Sequence, residues 1–541
     1  MTAIYKPAKD SPVSSGMEVV WRNVNVKKDN KLVLKNVSGV ARPGHLLAVL
    51  GPMGSGKTTL LNALMGRNLY QTGEITLNGQ PFNKQIKRKL SYVLKEEVFY
   101  PNVTLRETLR FAAMLRLPNA IDVKQKLARM EQIIDVLDIR GCLDTVMGDY
   151  KTPGLTDGQR KRASIACELI TNPLMLAVDE PTSDLDSYTS IALIKTLKAY
   201  THKSNKTVVM TIHQPSSQIF NMFDKILLLN QGQVVYFGES NKVISFFENI
   251  GLHMEPNYNP ADFICESFLQ EICLFLQNIY CQSQKLKFMS NFNHSNLKLQ
   301  NFWTSSFLEY PELFVDKDKW PTSFFTQFKH LTVRAFWQCK SRVFSKMKIV
   351  ETVLLCVLVS LVWFQLPRTE ETLRDRMGAI FFLITLWGVI PLIDAITAFA
   401  TERPVIDKER TANWYRLSAY YMAKMTAEIP LVLVPPVLFL ILAYWIIGLN
   451  NVEGFFGMIF TTIINVITGQ SIGLFLGIAF THVETGISVS VIVMTACMLL
   501  GGFFTRNLPF WLDWIKYFSF IFYSFHCAVV LEFSSDADDV K

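Results

Sequence analysis

Hydrophobic positions follow two regimes along this chain. From about Glu18 to Phe263, short apolar runs alternate with stretches of helical period, and charged residues are mixed throughout. That pattern predicts an α/β domain. From Lys348 onward, apolar runs of about the twenty residues a bilayer requires recur with short polar breaks, which predicts an all-α transmembrane domain. In the first regime, 46–50, 174–178 and 207–212 read as buried strands. Each is followed by polar residues at its C-terminal end, where open α/β sheets bind ligands.

In the second regime five spans are predicted, at 349–366, 378–400, 429–447, 455–480 and 487–504. A sixth apolar stretch, 514–533, is bracketed by Asp513, Lys516 and Glu532 and fits either a span or a re-entrant hairpin. The basic segment 401–424 between spans two and three belongs in the cytosol, so span one enters from inside. Segment 320–348 carries basic residues among aromatics and suits an amphipathic helix at the cytoplasmic membrane face; a soluble helix packed on the first domain fits equally. The Asn-, Gln-, Ser- and Lys-rich stretch before it reads as a linker. The predicted organisation is a tail at 1–17, an α/β domain at 18–265, a linker at 266–319, a connecting helix at 320–348 and a membrane domain at 349–541.

The chemistry sits where the first strand ends. Gly51, Pro52, Met53, Gly54, Ser55, Gly56, Lys57 and Thr58 match G-x-x-x-x-G-K-[ST], the P-loop, with Thr59 next to it. Glycines let successive backbone N–H groups curl round phosphates, Lys57 reaches the β- and γ-phosphates, and the Thr58 hydroxyl ligates Mg²⁺. The helix that opens there turns its N-terminus toward the anion. Asp179 closes the second strand and would hold Mg²⁺, while Glu180 positions and activates the attacking water. His213 ends the third strand, placed for the γ-phosphate. ATP and Mg²⁺ are the implied cofactors.

Composition narrows the picture further. The 541 residues carry a net charge of +8 and a mean hydropathy of +0.21, with no basic stripe for a phosphodiester backbone. Nucleic acid is therefore not an expected partner. No two of the nine cysteines have C-x-x-C spacing, so a zinc or redox site is not expected. The N-terminal residues lack an apolar core and do not read as a signal peptide.

Taken together, these strings resemble ATP-binding-cassette transporters, and in detail the White-type half transporters of the G subfamily. The carriers are VTLRETLRFAAMLRLP, QRKRASIACELITNP, VDEPTSDLDS, TIHQPSSQIF, NPADF, ERPVIDKER and YYMAKMTAEIP, with the cassette preceding the membrane domain. The resemblance implies a dimer that sandwiches ATP between the P-loop of one half and the signature loop of the other, here Thr156, Gly158 and Gln159. It also implies an apolar plug, for which Phe503 and Phe504 are the candidates.

Departures from the family pattern matter as much. Asp157 stands where the signature has glycine and brings a carboxylate toward phosphate; two unit charges roughly 5 Å apart cost about 3 kcal/mol at an effective dielectric near 20. Lys95 stands where the Q-loop has a metal-ligating glutamine, and its ammonium is expected on a phosphate oxygen, Glu96 or Glu97. Asp184 replaces a small residue, and Val26 or Lys27 falls where cassettes often stack adenine on an aromatic ring. Asp157 affects the partner's site and Lys95 this chain's own, so a heterodimer with one competent and one weakened site is expected over a homodimer.

Within the spans, Asp394 is the sharpest pointer to a transport pathway. Gln470 and Ser471 are weaker, and Pro391, Pro435 and Pro436 imply kinks. Few charges among Phe, Leu and Met favour a sterol-like, lipid or hydrophobic xenobiotic substrate, and the plasma membrane is expected over an internal one. Against the family pattern the C-terminal end looks short by one helix.

Overall fold

The computed structural model describes residues 16–67, 72–149, 152–249, 252–255, 258–264, 320–367, 369–449, 452–504, 509, 511 and 513–533. The predicted linker, most of the predicted tail, and Cys265, Cys273 and Cys281 lie outside them. The chain divides into two compact units, Met1–Thr322 with Ala412–Trp414 and Ser323–Thr411 with Tyr415–Lys541.

In the first unit β1 (Val19–Lys28), β2 (Lys31–Ala41), β4 (Thr72–Leu77) and β5 (Gln80–Pro81) form an antiparallel sheet in the order β2-β1-β4-β5. A second sheet has the order β10-β9-β3-β8-β7-β6, from β3 (Leu46–Leu50), β6 (Leu90–Val93), β7 (Met175–Asp179), β8 (Thr207–Thr211), β9 (Lys225–Asn230) and β10 (Gln233–Glu239). Only its β9–β10 pairing is antiparallel. Every position of β3, β7 and β8 is buried, which is why they read as continuous apolar runs. The three lie side by side and parallel, so their C-terminal ends form one edge.

The helices of this unit are α1 (Lys57–Leu64), α2 (Lys84–Lys87), α3 (Leu105–Arg116), α4 (Val123–Val136), α5 (Asp157–Leu169), α6 (Ser187–Ser204), α7 (Ser217–Phe220) and α8 (Val243–Glu248). Leu60, Leu61 and Leu64 of α1 join β1, β3, β4, β7, β8 and β9 in one apolar core. Each such side chain contributes about 1.5–3 kcal/mol on burial, and together they fix the P-loop that leads into α1. Thr104 caps α3 and Thr156 caps α5, each in a reciprocal box with Glu107 or Gln159 three residues on. Arg116 of α3 and Glu168 of α5 form a buried ion pair of 2.8 Å.

The second unit is helical: α9 (Phe324–Val343), α10 (Lys346–Val362), α11 (Leu373–Thr411), α12 (Leu417–Ile447), α13 (Val452–Ala479), α14 (Val483–Leu499) and α15 (Phe520–Phe533). Among the described residues α11, α12 and α13 are long and apolar enough to cross a membrane; α10 and α14 have 17 residues each. The five predicted spans fall on α10 to α14, but with different bounds. Lys346 to Lys348, expected in the connecting helix, open α10 behind the Ser345 cap. The basic segment at 401–424 is mostly helix, because α11 runs on to Thr411 and α12 begins at Leu417. Both helices continue through their prolines. The connecting helix α9 packs within the second unit, where Arg334 makes a buried two-pronged bond to Glu409, at 2.7 and 2.9 Å.

The stretch 514–533 is a turn followed by a short apolar helix. A three-residue-period turn at Asp513–Phe518 precedes α15, whose 14 residues rise only about 21 Å against a hydrocarbon core of about 30 Å. Phe520, at its start, packs on Gly388 midway along α11. Glu532, near its end, meets Arg376 in the first turn of α11 and accepts from Tyr444 near the end of α12. α15 therefore runs from the middle of α11 to its first turn, at the end of the helix away from the basic segment at 401–424.

Candidate functional site

The P-loop backbone takes the shape that only its glycines permit. Gly51, Gly54 and Gly56 have φ of 152°, 76° and 101°, and a Cβ at Gly51 would stand 2.1 Å from the Leu229 carbonyl oxygen. Around Gly54 nothing lies within 4 Å of such an atom, so the loop opens on free space there. Ser55 contributes a buried hydroxyl with no partner among the described residues. Met53 is exposed and Pro52 and Thr59 are half-buried. Lys57 is buried, its amine donating to the Gly51 and Pro52 carbonyls at 2.7 and 3.0 Å.

Across the sheet edge Thr58 donates to Asp179 Oδ1 at 3.1 Å. Thr211 also donates to Oδ1, and Tyr92 to Oδ2 at 3.2 Å. Glu180 follows with φ 46°, its backbone N–H held by the Thr211 carbonyl and hydroxyl. These residues fit nucleotide with Mg²⁺: an orphaned buried hydroxyl and an open cradle at the phosphate end, and two adjoining oxygens from Thr58 and Asp179 of the kind a hard cation takes. His213 lies two residues beyond Thr211, half-buried and without a hydrogen bond among the described residues.

Lys95 departs from expectation. Its amine pairs with Glu180 at 2.7 Å instead of Glu96 or Glu97. Glu97 is taken by Lys161, a buried lysine of α5 that also donates to the Lys95 carbonyl at 2.6 Å. The bond to Glu180 and its charge hold the Lys95 amine above the usual lysine range. Burial, then the adjacent Asp179, pushes the Tyr92 hydroxyl up as well, so it stays a donor to Asp179.

Thr156, Gly158 and Gln159 stand apart from the P-loop at the N-terminus of α5. Thr156 and Gln159 bond one another, and Asp157 is exposed in the first turn, favoured there by the helix dipole. Asp184 has φ 62°, a left-handed conformation that aspartate tolerates better than most side chains. Val26 is no adenine platform: it points into the core at 1 % exposure, while neighbouring Lys27 faces out, as strand alternation requires.

Tyr92, Thr211 and Lys161 join the site without a role that its sequence motifs assign. Thr211 had a signal, since it ends the same strand that delivers His213. Lys161 lies in QRKR, where nothing marks which basic residue turns inward.

Asp394 of the second unit pairs with Lys348 at 3.1 Å and lines a cavity of ≈ 60 Å³ with Trp387, Pro391, Val432, Pro435 and Gln470. Gln470 reaches across to Glu428, whereas Ser471 bonds its own helix. Phe503 stacks on Phe381 at 5.0 Å, and Phe504 meets the same ring edge-on at 5.4 Å. Both line a second cavity of ≈ 520 Å³ with Trp363, Thr385, Val389 and Met498.

Comparison with known proteins agrees with both units. A family profile described as ABC transporter matches residues 34–183, and two described as ABC-2 type transporter match 326–533 and 213–295. ABC transporter G family member 21 of Arabidopsis thaliana is 35% identical over 96% of this chain and 80% of its own. Member 22 from the same plant is 34% identical over 94% and 72%. Protein white of Drosophila melanogaster is 34% identical over 92% and 75%. With a P-loop cassette ahead of an apolar helical unit, and relatives matched along nearly its whole length, the chain belongs to the G family of ABC transporters as a White-type half transporter.

Proposed function

We propose that this chain is one half of a dimeric exporter in which its own P-loop site hydrolyses ATP to move a hydrophobic or amphipathic substrate out of the cell. The observation that carries the reading is the convergence of Thr58, Asp179 and Glu180 on one sheet edge beside an open phosphate cradle. Bound Mg²⁺ would neutralise charge on the transferred phosphoryl group. Gly51 to Gly56 and Lys57 hold the phosphates, and His213 stands by for the γ-phosphate. As water adds to the γ-phosphorus and the bond to ADP breaks, the Glu180 carboxylate takes the water proton. Glu180 must first leave Lys95.

The Phe-lined cavity, within the 300–1,000 Å³ usual for small-molecule pockets, supports a lipid, sterol-like or xenobiotic cargo, with Phe503 and Phe504 as its gate. The cavity at Asp394 has room for about two waters and suits a polar positioning role better than cargo. The exposed Asp157 supports a heterodimer, since it weakens the site whose P-loop lies on the partner. The plasma membrane is the proposed location.

The ion pair between Lys95 and Glu180 favours a second reading, a subunit that binds ATP without turning it over. Glu180→Gln in the purified assembled complex separates the two. The exporter reading expects ATPase activity to fall at least about a hundredfold, the scale of lost acid–base catalysis. Unchanged ATPase and transport would leave the silent-subunit reading standing.

A further inference from the structure

Lys95 brings a positive charge to a sheet edge crowded with carboxylates. Glu180 lies 2.7 Å from its amine, and Asp179 and Asp184 also act on it. Its main chain is fixed from behind, because buried Lys161 donates to the Lys95 carbonyl and pairs with Glu97. Its side chain is half-exposed and is free to change partner. Both oxygens of Asp179 already accept from neutral hydroxyls, Oδ1 from Thr58 and Thr211, Oδ2 from Tyr92. A glutamine at position 95 would offer a carbonyl to a metal ion. Lysine offers three donors and no acceptor, so it repels a metal ion and attracts phosphate.

We propose that Lys95 is a tethered cation for the triphosphate, resting on Glu180 until nucleotide arrives and then crossing to the phosphates, so that this chain binds ATP with little dependence on Mg²⁺. The proposal rests on the nucleotide-site reading above. A triphosphate carries more charge than one carboxylate, so the exchange runs toward phosphate and frees Glu180 at the moment it is needed.

The test is equilibrium binding of trinitrophenyl-ATP to the purified full-length protein, with excess Mg²⁺ and with EDTA. Wild type is expected to weaken by less than about threefold in EDTA, and Lys95→Gln by about tenfold or more, the worth of one charge-assisted bond. Lys95→Arg should stay near wild type. Equal Mg²⁺ dependence in wild type and Lys95→Gln would overturn the proposal. Lys57→Ala should lose binding under both conditions; if it bound as wild type does, the P-loop site itself would be refuted, independently of Lys95.

Discussion

Lys161 shows how one buried side chain disciplines a site it does not enter. It is 2 % exposed, and its bonds to Glu97 and the Lys95 carbonyl fix the loop that aims Lys95 at Glu180. The identities of Lys57, Thr58, Asp179 and Glu180 were legible in the sequence, because the P-loop and the paired acids after apolar strands constrain residue type and spacing. The partner of Lys95 was not, since Glu180 is far away in sequence and Glu96 and Glu97 are adjacent; burial of Lys161 decided the matter by claiming Glu97. His45, at the entry to β3, supplies a stability test. Burial, reinforced by Lys225, lowers its pKa below the usual 6.5, so the folded chain prefers it neutral. Its stabilising contribution is complete above the unfolded value of 6.5 and is lost as pH falls below it. Thermal unfolding of the full chain should thus lose more stability between pH 7.5 and 5.5 in wild type than in His45→Gln, and parallel losses would refute this.

Elements differ in how far pattern alone defines them. The starts of α3 and α5 were written in T-x-x-E and T-x-x-Q, and β3, β7 and β8 in unbroken apolar runs. The ends of α11 and α12 were not, because the apolar pattern stops before 401–424 whereas the helices run on into that charged segment and are held there by ion pairs. Glu402 and Glu428 share Lys424 at 2.6 and 2.9 Å, and Arg342 of α9 approaches both. Removing one partner of such a buried set costs about 3–5 kcal/mol, which keeps the set paired and the helices continuous. The stretch 514–533 has the apolar length of a span, so periodicity could not tell a crossing from a hairpin; Phe520 on Gly388 and Glu532 on Arg376 and Tyr444 favour the hairpin. A cysteine replacing Ser535, just past α15, should therefore react with an impermeant thiol reagent on intact cells. One at Asp407 should react only after permeabilisation. Reaction of the Ser535 variant only after permeabilisation would mean that the stretch crosses the membrane.

For the whole molecule, the sequence divided the chain correctly into an α/β cassette and an apolar helical unit because each obeys a different solvent. It also carried the family, through strings that span both units. Composition left open what passes through the membrane and whether this half turns over ATP, since both depend on surfaces completed by a partner. The account holds that the Gly51–Thr58 site hydrolyses ATP despite Lys95. Vanadate trapping tests that most directly: vanadate replaces the released phosphate and locks ADP only where hydrolysis has occurred. In the assembled complex with a photoreactive ATP analogue, the account predicts vanadate-dependent label on the peptide containing Lys57, lost in Glu180→Gln. Label confined to the partner half would contradict it.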